Sequence, residues 1–452
     1  MDVTFRPARL RARCLALPLL AAGLAACGTL GIGGDGKDPS TPTIGNRTPI
    51  LSRVDNDVKA DPALAAVAVV LPPAQENADW PQAGGNAAKA AGHLMLSAAP
   101  ARAWTASIAG NSSRRRLAAA PVTGGGMLFA VDTDNVIHAF DAATGARRWE
   151  HRIDVSDDLE DSAFGGGASY FEGRVYATSG AGDVVVLDAQ TGGEVWRKTP
   201  AGPLRGSPTV AFNAVYVMTQ DNQIHALGIT DGAPVWDKAA ASAASGVFGV
   251  AAPAAGQGTV IAGYSSGELV AYRYENGREL WSDALARTSI STQVGTLTDV
   301  DADPIIDSGR VYALGQGGRM AAYELVTGQR LWELSLAGIS TPAVAGEWLF
   351  TLTDDARLLA IARSTGRVRW VTQLERWDSP KNKTGPIFWT GPVLANNRLW
   401  IASSEGDVVS VDVMTGAAAP FADLDQSVSL PPIVAAGTLF ILDDGGRITA
   451  WR

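Results

Sequence analysis

The sequence predicts an all-β, eight-bladed propeller of four-stranded blades, preceded by a signal peptide and a flexible tether. Three observations predict it. A phrase ending in Trp recurs at near-constant spacing. Two runs of β-forming residues precede each copy. An unmatched strand remains at each end of the repeating region. The composition agrees: of 452 residues 46% are hydrophobic, 18% are charged, 50 are Gly and 13 are Trp. That is ample material for a large core and too little charge for a disordered chain.

The phrase reads Phe140-Asp141-Ala142-Ala143-Thr144-Gly145-Ala146-Arg147-Arg148-Trp149, and again Leu187-Asp188-Ala189-Gln190-Thr191-Gly192-Gly193-Glu194-Val195-Trp196. Gly232/Trp236, Gly277/Trp281, Gly328/Trp332 and Gly366/Trp370 keep the same offset. In a seventh copy, Thr415-Gly416 is followed by Pro420-Phe421 where Trp is expected. Successive Trp residues lie 38 to 51 residues apart. Self-similarity at such a period marks a repeat architecture and outranks any local motif.

Within each unit the pattern is β. Met127–Val131 and Val136–Phe140 flank the turn Asp132-Thr133-Asp134-Asn135. Arg174–Thr178 and Ala214–Val217 lead into similar Gly- or Asn-bearing turns. Asn, Asp and Gly tolerate the positive φ that hairpin turns require. Eight hairpins start near Pro121, Ala168, Ser207, Ala252, Asp303, Thr341, Gly391 and Pro431. Four short strands per roughly 45 residues suit a propeller blade. The eighth hairpin ends at Arg452 without its Trp strand, and a lone Trp strand, Ala101–Ser107, precedes the first. Joining the two closes the ring and removes its open edges. The indoles of Trp104, Trp149, Trp196, Trp236, Trp281, Trp332 and Trp370 are expected to fill the gaps between blades, where a large aromatic buries about 150–250 Å².

At the N-terminus, Arg6, Arg9, Arg11 and Arg13 precede an uncharged stretch from Cys14 to Ala26. It is too short for a membrane span of about 20 residues and suits a signal-peptide core. Leu24-Ala25-Ala26-Cys27 resembles the lipobox of bacterial lipoproteins, which implies cleavage of residues 1–26 and lipidation of Cys27. Gly28, where that family carries Asp for inner-membrane retention, favours the outer membrane. Gly, Ser, Thr and Pro then recur without a period, so residues 27–79 are expected to be a flexible linker and residues 80–452 the ring.

Asp-Ala-x-Thr-Gly-x-x-x-Trp resembles the tryptophan-docking repeat of pyrroloquinoline-quinone propellers. With the lipobox, the tether and a single eight-bladed ring, the chain is similar to the BamB family, lipoprotein subunits of the β-barrel assembly machinery. The resemblance runs from about Asp79, where Asp79–Asn86 matches that family's lead-in segment. It also covers Leu204-Arg205-Gly206 before the third hairpin and Asp299-Val300-Asp301 before the fifth. In that family these loops lie close together and contact a POTRA domain of BamA. The resemblance therefore implies BamA contacts at Leu204, Arg205, Asp299 and Asp301. It also implies a place in the BAM complex near nascent outer-membrane proteins, on the periplasmic side of the outer membrane. The family's loop has an apolar residue two before its Leu; here that position is Gly202.

No catalytic or metal site is expected, and no cofactor. The competing enzyme, a quinone-dependent dehydrogenase, often carries adjacent Cys residues against its cofactor, whereas no Cys follows Cys27. His138 and His225 occupy one repeat slot, in Ile-His-Ala-Phe and Ile-His-Ala-Leu. Asp299-Val300-Asp301-Ala302-Asp303 begins like a Ca²⁺ loop, but Pro304 and Arg310 stand where such a loop needs Gly and Glu. Gly263-Tyr264-Ser265-Ser266-Gly267 falls at a hairpin turn, not at the strand-to-helix elbow of a nucleophile. The net charge of −9, with Arg114-Arg115-Arg116 as the main basic run, disfavours nucleic-acid binding.

Overall fold

A computed structural model describes residues 58–155, 164–200, 202–204, 206–241, 251–285 and 298–452. The expected signal peptide, Cys27 and Arg205 lie outside them. Eight four-stranded antiparallel sheets form the blades. Their inner strands are Val122–Gly124, Ala168–Phe171, Thr209–Ala211, Ala254–Gly256, Ile305–Asp307, Ala343–Ala345, Trp389–Ala395 and Ile433–Ala435. These open blades 1 to 8 at the eight places the hairpins predicted. Blade 8 takes its outer strand from the other end of the chain: Arg102–Ser107 pairs with Arg447–Trp451, in register Thr105↔Thr449. The ring is closed as expected. A short hairpin, Trp377–Ser379 with Thr384–Pro386, lies between blades 6 and 7.

The hydrophobic interior is divided among the gaps between blades. One buried cluster joins blades 2 and 3 through Tyr176, Val186, Trp196, Val215 and Leu227. Another joins blades 4 and 5 through Ile261, Ala271, Trp281, Val311 and Tyr323. A middle strand faces a neighbouring blade on both sides, so Val184–Asp188 is buried throughout except at its last residue. An outer strand has one buried face at most, and in Glu194–Lys198 only Trp196 is buried.

Each repeat Trp docks on the next blade. Its indole N–H donates to a backbone carbonyl there: Trp149 to Ala189 at 2.9 Å, Trp236 to Tyr274 at 2.8 Å, Trp281 to Leu325 at 2.8 Å, Trp370 to Val413 at 2.9 Å. Trp104 reaches Ala142 of blade 1 and seals the ring at 3.2 Å. The ring face lies on the Gly of the next phrase. A Cβ on Gly192 would sit 2.7 Å from Trp149, and one on Gly277 the same distance from Trp236. Both Gly have positive φ, 72° and 66°. The Gly is therefore required twice, for the turn and for the docking surface. In blade 7 Phe421 replaces the Trp and packs edge-on against Trp400 and Trp451.

Residues 58–96 lie on and inside the ring. Composition places residues 58–79 in the tether, but Asp61 N–H donates to Val368 O and the Asp61 carboxylate pairs with Arg367 at 2.6 Å, along the outer strand of blade 6. Val69 is buried against blades 6 and 7. These contacts override the reading as tether of an aperiodic segment whose Ala63–Leu71 run is apolar. The chain then crosses the axis as a plug. Thr123, Tyr170, Ala255, Ile306 and Ala436 donate backbone N–H groups to Trp80, Pro81, Ala87, Ala88 and Asn77. The Gln82 amide bonds both backbone groups of Val210, at 2.9 and 3.0 Å. Leu94 exchanges bonds with Leu394 and Asn396. Seven of the eight inner strands thus gain a partner for edge groups that their own sheets leave free.

Candidate functional site

The plug closes the end of the channel near the turns between inner and second strands. The opposite end is shaped by the loops that lead into the inner strands. Both loops singled out in the sequence lie there. Gly206 and Ser207 of one, and Asp301 and Asp303 of the other, share the wall of one cavity in the ring. The structure therefore brings the two loops to a common face, though they enter blades 3 and 5.

The four carried-over residues are placed differently from one another. Leu204, expected as an apolar contact, is fully buried. It packs among Tyr176, Val186, Trp196 and Val215, and its N–H donates to Ser179 O at 3.3 Å. Its side chain is a peg that seats the loop, because the gap between blades 2 and 3 offers a larger apolar contact than the surface does. Gly202 is exposed and a Cβ there would meet open space. Asp299 is also fully buried, and its carbonyl accepts from Gln316 N–H at 2.8 Å. Val300 is buried against Gly263, and its N–H donates to Tyr264 O. Of the three, only Asp301 is partly exposed.

The electrostatics of this face are acidic. Burial pushes the Asp301 carboxyl up to about 7, helped by the neighbouring charges of Asp299 and Asp354. Burial raises Asp354 to about 6, with Asp355 adding to the rise. Burial also raises Asp303, against the opposing pull of Lys89. Lys89 itself is lowered to about 8 by burial, with Asp303 acting against the fall. Acidic groups brought together in a half-buried loop raise one another's proton affinity.

The remaining motifs resolve as structural. Ser265 lies in the turn between Thr259–Gly263 and Glu268–Arg273, and its N–H and hydroxyl both donate to Asn222 Oδ1. His138 and His225 sit on the third strands of blades 1 and 3, as one repeat slot predicts. His138 Nε2 lies 2.7 Å from Asp132 Oδ2, which also accepts from nearby backbone through its other oxygen. Sequence reasoning missed Lys89 and the plug. A lone Lys in an Ala- and Gly-rich segment carries no periodic signal.

Comparison with known proteins places the chain. A family model described as outer membrane protein assembly factor BamB matches residues 101–163 and 133–372. Outer membrane protein assembly factor BamB of Yersinia pestis is 26% identical over 357 residues, covering 78% of this chain and 88% of that one. The crystal structure of BamB from Moraxella catarrhalis superposes with a TM-score of 0.64 at 18% identity, covering 78% of this chain and 98% of that one. Quinohemoprotein alcohol dehydrogenase from Comamonas testosteroni superposes equally well, TM-score 0.64 at 14% identity, over 86% of this chain and 83% of that one; at that identity the likeness is one of fold. Since the family model spans more than half of the residues and most blades, this chain belongs to the family of outer membrane protein assembly factor BamB.

Proposed function

We propose that the chain is a non-catalytic scaffold of the outer-membrane β-barrel assembly machinery. It is held by a lipid on Cys27 to the outer membrane, facing the periplasm, and docks on the POTRA region of BamA. The observation that carries this reading is the convergence of the Leu204-Arg205-Gly206 and Asp299-Val300-Asp301 loops on one face of a ring of this family. Arg205 offers a planar five-donor fork and Asp301 a partly exposed carboxylate, the two kinds of group that pair across wet interfaces. Leu204 and Asp299 act from behind, fixing the loops by burial. Holding BamA's periplasmic domains in one orientation, near nascent outer-membrane proteins, is the service such a rigid ring renders.

The enzyme alternative, a quinone-dependent dehydrogenase, has less support. Among the described residues no three His, Cys, Asp or Glu side chains are grouped to hold a cation. The decisive experiment has two arms. Affinity purification from membranes is expected to bring down BamA, identified by mass spectrometry. Incubation with pyrroloquinoline quinone and Ca²⁺ is expected to give no alcohol-dependent dye reduction. Clear turnover, or purification without BamA, would overturn the reading.

A further inference from the structure

The cavity within the ring holds a feature the docking reading does not use. Its volume is about 680 Å³, in the range of small-molecule sites. Lys89, from the plug, lies on its wall and is only 2% exposed. An ammonium carries three donors. One goes to Thr209 Oγ1 at 2.9 Å, whose own proton is committed to Pro253 O at 2.6 Å. Among the described residues no carboxylate lies within ion-pair distance of Lys89 Nζ, although Asp303 is near enough to raise its proton affinity. The buried ammonium is therefore short of acceptors.

The backbone at Lys89 adds a second, independent observation. Its φ is 62°, the left-handed region that residues bearing a Cβ seldom occupy. Such strain persists where the surroundings over-determine it, and it gathers at functional sites. Here Gly84 folds over the residue so closely that a Cβ on it would lie 2.9 Å from Lys89 Cα, and Lys89 N–H is fixed to Asn86 O at 3.0 Å. The plug holds this amine in place at a conformational cost.

Away from Lys89 the wall is mixed, with an apolar part among polar residues such as Asn111, Ser427 and Ser429. Trp80, Leu117, Trp389 and Leu430 line the apolar part, and Ile339 and Phe388 stand at the rim, 46% and 62% exposed. Arg116, exposed on the same wall, makes no ion pair among the described residues. We infer that the ring cavity binds an anionic amphiphile, its single carboxylate or phosphate head on Lys89 Nζ and its apolar body against Trp80, Leu117, Trp389 and Leu430. Three acids, Asp301, Asp303 and Asp444, share the wall, and their charge lowers the affinity that Lys89 gives an anion. Asp303 Oδ1 accepts from Ala252 N–H at 2.7 Å. Asp301, pushed up to about 7, offers an O–H below that pH.

Isothermal titration calorimetry on the full chain tests it, with dodecanoate, dodecyl phosphate, dodecanol and dodecylamine, each below its micelle concentration. At least one of the two anions is expected to bind one to one, at least tenfold tighter than dodecanol, with dodecylamine weakest; which anion is tighter separates the two head groups. Lys89→Met should cost the anion at least tenfold and leave dodecanol unchanged. Leu430→Trp should weaken every chain by filling the apolar end, which keeps the test alive if Lys89→Met misfolds. Equal binding of dodecanol and the anions, tightest binding of the amine, or an unaltered Lys89→Met would overturn the inference. BamA capture by Lys89→Met is expected to stay intact, so failure here is distinguishable from failure of the docking reading.

Discussion

Replacing Gly277 by Ala probes the element that joins one blade to the next. Gly277 has φ 66°, and an added Cβ would lie 2.7 Å from Cδ2 and Cε3 of Trp236, whose indole is 8% exposed and hydrogen-bonded to Tyr274 O. Two costs add. Forcing an L-residue into the left-handed region costs about 1–2 kcal/mol, and overpacking against a fixed ring costs about 1–3 kcal/mol. The sum is about 2–5 kcal/mol. Gly309 supplies the control: its φ is 73° and a Cβ there meets nothing within 4 Å, so Gly309→Ala should cost only the first part. Urea unfolding followed by far-ultraviolet circular dichroism measures both. In a Trp236→Ala background the Gly277→Ala penalty should fall to that of Gly309→Ala, because the ring it strikes is gone. Equal midpoints for the two single variants, or an undiminished penalty without Trp236, would refute docking as the reason for the Gly.

Other consequences can be measured in the same way. Trp281→Ala should destabilise by about 3–5 kcal/mol, as for a buried aromatic, since Trp281 stacks on Tyr323 at 5.4 Å and donates to Leu325 O; a melting temperature within a degree of the parent would contradict its burial. For Asp301 the folded pKa, about 7, lies above the ordinary 3.8, so the unfolded chain releases its proton first. Stability from this group is whole below about pH 4 and drains away as pH rises to about 7. At roughly 1.4 kcal/mol per unit the loss is capped near 4 kcal/mol. Asp301→Asn should therefore stabilise at pH 8 and change nothing at pH 3.5; the reverse order would dismiss the burial argument. Removing Arg447–Arg452 leaves Arg102–Ser107 without its partner and exposes two edges. Dimers or aggregates in size-exclusion chromatography are expected, and an unchanged monomer would argue against closure.

The ring was legible because its signal is repeated. The Trp and Gly of each phrase meet across a gap, one interaction used many times at one spacing, so the period survives substitution elsewhere. Blade 7 shows the same logic with Phe421 in place of Trp, since Thr415-Gly416 still offers the docking turn to Trp370. Contacts made once left no such trace. The plug touches seven different inner strands, six of them through one or two backbone bonds, which any sequence can make, and the seventh through the lone Gln82 side chain. For the same reason residues 58–79 read as tether. Leu204 was legible as part of a loop but not as buried, because an apolar residue between Pro203 and Arg205 is compatible with a surface anchor or an inward peg. Only the neighbouring blade decides which. The acids of Asp299–Asp303 read as a turn; the raised pKa values of Asp301 and Asp303 come from burial among groups distant in sequence, with Asp354 near the first and Lys89 near the second.

The proposed docking on BamA depends on the face shared by the two loops. Its most direct test is BamA capture by Arg205→Glu, with circular dichroism and the melting temperature showing an intact ring. Capture reduced at least tenfold with the fold unchanged is the result this account predicts. Capture equal to the parent's would place the docking surface elsewhere on the molecule.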